Sequence, residues 1–183
     1  MSRLRFATTQ ALFDAFPEVS EKVTAKPTDQ SPIVFLKALS SANKLSDAIT
    51  FCAYLLPRRE VVWWACGCVR TLSGDVALER AAGLLAAEAW VYEPDEERRQ
   101  AALDVGTKGE VTNSMTWLAL AAGWTGGFLA SNKTKQIPVP QYMTARAARI
   151  AVLTSVPKVR KDMRAARLHE CILQGIKLGE TGL

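Results

Sequence analysis

Nine consecutive residues, Val61 to Val69 (VVWWACGCV), carry no charge, and charged residues flank them as Arg58, Arg59, Glu60 and Arg70. A segment apolar all round its axis has to be enclosed on most sides by other elements. Val-Val-Trp-Trp also has high β-propensity, so a buried strand competes. Pro57 at the start, the charged ends and the length favour a helix. The rest of the chain must therefore wrap a central helix, and 183 residues are enough to do so in one domain.

The remaining periodic segments read as helices. Thr8 or Thr9 caps a short one that ends at Pro17. Ser31-Pro32 opens the next, with Ile33, Phe35, Leu36 and Leu39 apolar. Ser46 is positioned to cap another, carrying Ala48, Ile49, Cys52 and Leu55. An alanine-rich helix spans 76–92, and Pro94 precedes one with Asp95, Glu96 and Glu97 in its first turn, where they suit the helix dipole. Ser114 to Trp124 reads as buried. Two last helices run from about Thr144 to Ser155 and from about Pro157 to Leu178, with Gly179 as the stop. No strand alternation is visible, and residues 128–141 read as one irregular connector. The expectation is an all-α fold of about eight or nine helices, a single domain over 1–183, packed as an irregular bundle or as stacked helical pairs. Its core should contain Trp64, Cys66, Cys68, Leu84, Leu85, Trp117, Leu118 and Leu120.

Several function classes find no motif. The uncharged stretch Val111–Asn132 is long enough for a membrane span but too rich in Thr, Asn, Ser and Gly, so no span is expected. The first residues do not read as a signal peptide, which points to a cytoplasmic, reduced chain. On a helix, residues two apart point away from each other, so neither Cys66-x-Cys68 nor His169-x-Cys171 forms a metal pair. His169 is the only histidine, with no nucleophile placed beside it by local sequence. Val105-Gly-Thr-Lys-Gly-Glu-Val lacks P-loop spacing. No catalytic residue, cofactor or metal is assigned.

The net charge of +5 is unevenly spread. Residues 133–168 hold nine Lys or Arg against one acid, Asp162, whereas 1–132 hold 13 against 15. Within that block Arg160, Arg164 and Arg167 fall at i, i+4 and i+7, with Lys161 beside them. Val159, Met163, Ala166 and Leu173 are expected on the opposite, apolar side. Lys133 and Lys135 in the connector could extend the same positive field. An apolar anchor, Trp63 or Tyr142, could supply most of the binding energy, because Trp63 diverges from Trp64 by roughly 100° on a helix. The candidate surface is thus Lys133, Lys135, Tyr142, Arg160, Lys161, Arg164, Arg167 and Trp63. A protein partner is its leading use. A nucleic acid or another anion on residues 133–167 is the alternative, although no aromatic interleaves with the arginines for base stacking. An enzyme with a site dispersed along the sequence is the third reading.

Two stretches carry a resemblance. Leu56-Pro57-Arg58-Arg59-Glu60-Val61-Val62-Trp63-Trp64-Ala65-Cys66 resembles the Leu-Pro-x-Arg-Glu-x-x-Trp-Trp-x-Cys signature of an uncharacterised family of small bacterial helical proteins. Residues 121–147, AAGWTGGFLASNKTKQIPVPQYMTARA, are similar to that family's Gly-Gly, Pro-rich loop and Leu-Thr-Ala-Arg/Lys stretch. Here Ser131-Asn132-Lys133 stands where Pro-rich sequence is expected, and Met143 replaces the Leu. The resemblance implies a non-enzymatic adaptor or chaperone-like accessory associated with type VI secretion loci. The implied partner is a secretion component or an effector.

Overall fold

The computed structural model describes residues 4–74, 81–132 and 135–183. Nine α-helices follow in chain order among them: α1 (Thr9–Ala15), α2 (Pro32–Ser41), α3 (Leu45–Leu55), α4 (Arg58–Ser73), α5 (Ala82–Tyr92), α6 (Glu96–Lys108), α7 (Ser114–Gly123), α8 (Tyr142–Ser155) and α9 (Arg164–Thr181). None of the described helices is long and apolar enough to cross a membrane.

Helix α4 is the hub. It packs against α5, α7, α8 and α9, and Val61, Val62, Trp64, Cys66, Cys68 and Val69 are all buried. The apolar run required enclosure, and four neighbouring helices supply it. Around α1 to α3 a second part of the same core is aromatic, with Phe13, Phe35 and Phe51 in mutual contact and Phe16 edge-on to Tyr54.

Helix starts follow the capping residues unevenly. Thr8 accepts from the Ala11 N–H at 3.2 Å, and Asp95 accepts from the Arg98 N–H at 2.8 Å. Pro32 stands at the first position of α2, but Ser31 makes no capping bond. α3 begins one residue before Ser46, after Lys44, so Ser46 is not its cap.

Three expectations need correction. Residues 128–141 are not irregular throughout. Phe128–Asn132 (β1) and Lys135–Pro138 (β2) pair antiparallel, with a register irregularity between Phe128 and Ala130. Phe128, Leu129 and Ile137 all remain about half exposed, so neither face imposed the apolar–polar alternation by which strands are read. Second, no helix starts at Pro157. Val156–Lys158 and Lys161–Met163 are single 3₁₀ turns, and α9 begins at Arg164. α9 also continues through Gly179 and stops at Gly182, whose φ of 74° closes the helix in a glycine-favoured conformation. Third, Leu85 is 44% exposed while adjacent Leu84 is fully buried. Neighbours on a helix diverge, and only one of the two can face α7 and α4. Trp117 is half-buried, its indole N–H donating to the Val111 carbonyl at 2.7 Å.

The four cysteines are all buried and unbridged. Burial pushes the Cys52, Cys66 and Cys68 thiols far up from their usual range, and neighbouring Cys171 adds to this for Cys52. Thiolate is the reactive form, so none of these three should react in the folded chain. Titration with a thiol reagent should show them protected in native buffer and released in denaturant. Rapid native labelling at Cys52 or Cys66 would contradict the packing described.

Candidate interaction surface

Most of the 56–66 motif turns out to hold helices together. Pro57 is the N-cap of α4. Arg58 donates to the Thr125 carbonyl just beyond α7, and Arg59 Nε donates to the Val91 carbonyl in the last turn of α5 at 2.8 Å. Helix C-termini leave carbonyls unpaired and carry partial negative charge, so guanidinium groups suit these positions. Arg99 of α6, 7% exposed, does the same for α7, donating to the Gly123 carbonyl at 2.6 Å while Glu96 pairs with it. Trp64 sits between α4 and α9 with its indole N–H donating to the Cys171 carbonyl at 2.8 Å. Gly175 makes room for it, because a Cβ there would lie 3.0 Å from Trp64 Nε1 and 2.2 Å from Cys52 Sγ.

Trp63 is different. It is 44% exposed and forms one wall of a groove of about 410 Å³ between α4 and α9. Gly67, one turn on, leaves the α4 side shallow, and Gln174, Lys177, Leu178 and Thr181 of α9 form the other wall. Lys177 has no carboxylate within ion-pair distance among the described residues.

The structure does not assemble the basic stripe expected near the C-terminus. Arg160 precedes α9 and pairs with Asp162 at 2.5 Å, which holds that carboxyl below its usual range. Arg164 folds back onto the Val159 and Pro157 carbonyls at 2.9 and 3.1 Å, stabilising the turn before α9. Arg167 pairs with Glu170 at 2.9 Å. Lys161 is exposed. Lys133 lies outside the described residues, and Lys135 is in β2. The proposed apolar side is also wrong: Met163, Ala166 and Leu173 are exposed, whereas Leu168, Cys171, Ile172, Gly175, Ile176 and Gly179 are buried. Tyr142 opens α8 and is half-buried.

A different set of cations does converge. Tyr142, Arg146 and Arg149 fall at i, i+4 and i+7 on α8, beside Thr50 and Tyr54 of α3. Arg149 Nε donates to Thr50 Oγ1 at 2.9 Å. Arg5 donates to Gln141 Oε1 at 2.7 Å, and its guanidinium lies 5.3 Å from the Phe6 ring centre and 5.5 Å from that of Phe16. Phe16 in turn lies 5.3 Å from the Tyr54 ring. The α8 spacing was legible in the sequence. The approach of Arg5 to it depends on a contact between residues more than a hundred positions apart.

Residues 35–179 match the model of DUF6931, a family of unknown function. The chain belongs to this family. No curated protein and no solved structure matches it. The DUF6931 match takes in the 56–66 motif, the α4 side of the groove and the arginines of α8. Arg5, and the groove residues after Gly179, fall outside it.

Proposed function

We propose that this DUF6931 member is a non-enzymatic interaction protein, an adaptor or chaperone-like accessory that docks a partner on the α4–α9 groove. The observation that carries this reading is the half-exposed Trp63 on the groove wall. Its motif neighbours are engaged within the fold: Arg58 and Arg59 with helix ends, Trp64 with Cys171, Cys66 with the core. A broad, rigid aromatic beside a recess is the kind of anchor that dominates protein interfaces. The occupant that fits is a partner helix or loop presenting one bulky apolar side chain, with a carboxylate near Lys177.

The chemistry of the reactive groups supports a binding role over catalysis. Three thiols are buried and pushed up in pKa. The His169 ring nitrogens sit 2.8 Å from the Ala165 carbonyl oxygen and 3.4 Å from that of Ser40, within the helical packing. Four unbridged thiols suit a reducing cytoplasm. The motif's resemblance to proteins of type VI secretion loci supports a secretion component or effector as the partner.

Affinity capture from the native host with the wild-type chain and the Trp63→Ala variant, side by side, tests both parts. A secretion component or effector should be enriched on the wild type and fall by about tenfold or more on the variant, the effect of losing one anchor. Equal capture by both chains, or a specific partner unrelated to secretion, overturns the corresponding part of the reading.

A further inference from the structure

Arg5, Arg146 and Arg149, where the N-terminal segment meets the start of α8, differ from most of the other clustered arginines. Among the described residues none of the three has a carboxylate within ion-pair distance, whereas Arg70, Arg98, Arg99, Arg160 and Arg167 all do. The chain itself offers few candidates, since Val111 to Lys161 contains no Asp or Glu at all. Arg5 and Arg149 are both held below their usual range, first by burial; the Arg58 guanidinium adds to this for Arg5, and for Arg149 Tyr54 opposes it while the Arg146 guanidinium adds to it. These are positions where a positive charge is poorly compensated, and an arriving anion would relieve it. Between them lies Tyr54, fully buried, with a hydroxyl that makes no hydrogen bond. Glu18 lies close enough to act on Tyr54, and its Oε1 is likewise buried and without a partner. The cluster therefore keeps a net positive charge with Glu18 counted.

We propose that the face formed by Arg5, Arg146 and Arg149, where the N-terminal segment meets α3 and α8, docks an acidic segment of a partner protein. The guanidinium fork matches a carboxylate through paired N–H donors, which a lysine cannot do. Charge complementarity is the basis of the assignment, and it sets orientation and association rate. A nucleic acid fits less well. The Phe6 and Phe16 rings lie beneath the Arg5 guanidinium, and bases are left without those faces to stack on. The surface is distinct from the Trp63 groove and stands whether or not that groove is used.

The test is an anisotropy titration of the full chain with a labelled oligoglutamate peptide at low salt. Arg5→Gln with Arg146→Gln should weaken binding by about tenfold, because two uncompensated partners of the carboxylates are lost. Arg160→Gln with Arg167→Gln removes the same formal charge but only from internally paired sites, and should leave affinity within about twofold. Trp63→Ala should bind the peptide as the wild type does, which separates this site from the groove. If the Arg5/Arg146 pair lowers the melting temperature, Arg146→Gln alone serves, since Arg146 is exposed and makes no hydrogen bond in the described structure. Equal weakening by both pairs reduces the effect to net charge and overturns the proposal. So does an absence of peptide binding, or tighter binding of a single-stranded oligonucleotide of equal charge.

Discussion

Trp64→Ala is expected to destabilise the protein by about 3–5 kcal/mol, the range for emptying a buried aromatic site. Trp64 is 1% exposed and is the largest fully buried side chain. It sits where α4 and α9 meet, and its removal takes away both ring volume and the 2.8 Å bond to the Cys171 carbonyl. The carbonyl lies within α9, so losing the indole donor should contribute only about 1 kcal/mol, and packing should dominate. Trp64→Phe separates the two terms and should recover most of the loss. Trp63→Ala, one position away, should cost under about 1 kcal/mol because that ring already meets solvent. In a chain of this length the Trp64→Ala loss corresponds to a fall in melting temperature of roughly 10 °C. Urea unfolding of the three variants reads these values directly. Similar losses for Trp63→Ala and Trp64→Ala would refute the assignment of which indole is enclosed.

Gly83→Ala should be among the most damaging one-carbon changes in the described residues. A Cβ at Gly83 would lie 2.2 Å from the Met115 carbonyl oxygen and 2.7 Å from its carbon. Both are backbone atoms, and no side-chain rotation relieves the clash. α5 and α7 would have to separate, at about 3 kcal/mol or slightly more for overpacking of this kind. Alanine's better helix propensity offsets at most about 1 kcal/mol, and less in the first turn. The net is a loss of about 2 kcal/mol or more. Gly67→Ala is the matching control. There the nearest atom is Gln174 Oε1 at 3.0 Å, the end of a flexible, exposed side chain. It can swing aside, and the propensity gain should make this substitution neutral or stabilising by up to about 1 kcal/mol. Chemical denaturation of the pair decides the matter, and equal effects would mean that α5 and α7 do not meet as closely as described.

The site was less legible than the fold, for reasons visible in single residues. Arg160, Arg164 and Arg167 have helical spacing, but spacing implies a shared face only inside one helix. The extended backbone at Arg160, with ψ of 139°, breaks the register before α9 begins. Their neutralisation by Asp162, by backbone carbonyls and by Glu170 is also local, yet formal charge counts do not register it. On α9 the buried stripe includes Cys171, Gly175 and Gly179, small residues selected by the closeness of α3, α4 and α2. A hydrophobicity pattern gives such residues little weight and favours Met163 and Leu173, which are exposed. The acceptors of Arg58 and Arg59 are the ends of other helices, 67 and 32 residues away in sequence, and no local pattern names them.

Determined by the sequence alone were the all-helical class, the central position of α4 and the burial of its cysteines. An uncharged run of that length leaves no other way to keep apolar surface from water. Its capping signals at Thr8, Pro32 and Asp95 also act within one turn, so they need no tertiary partner. Only the tertiary structure decided which of two adjacent tryptophans stays at the surface, and which arginines keep their charge uncompensated. Both depend on which helix comes to lie beside which, and that is settled by the packing of the whole core, with the close approaches at Gly83 and Gly175 as its tightest points.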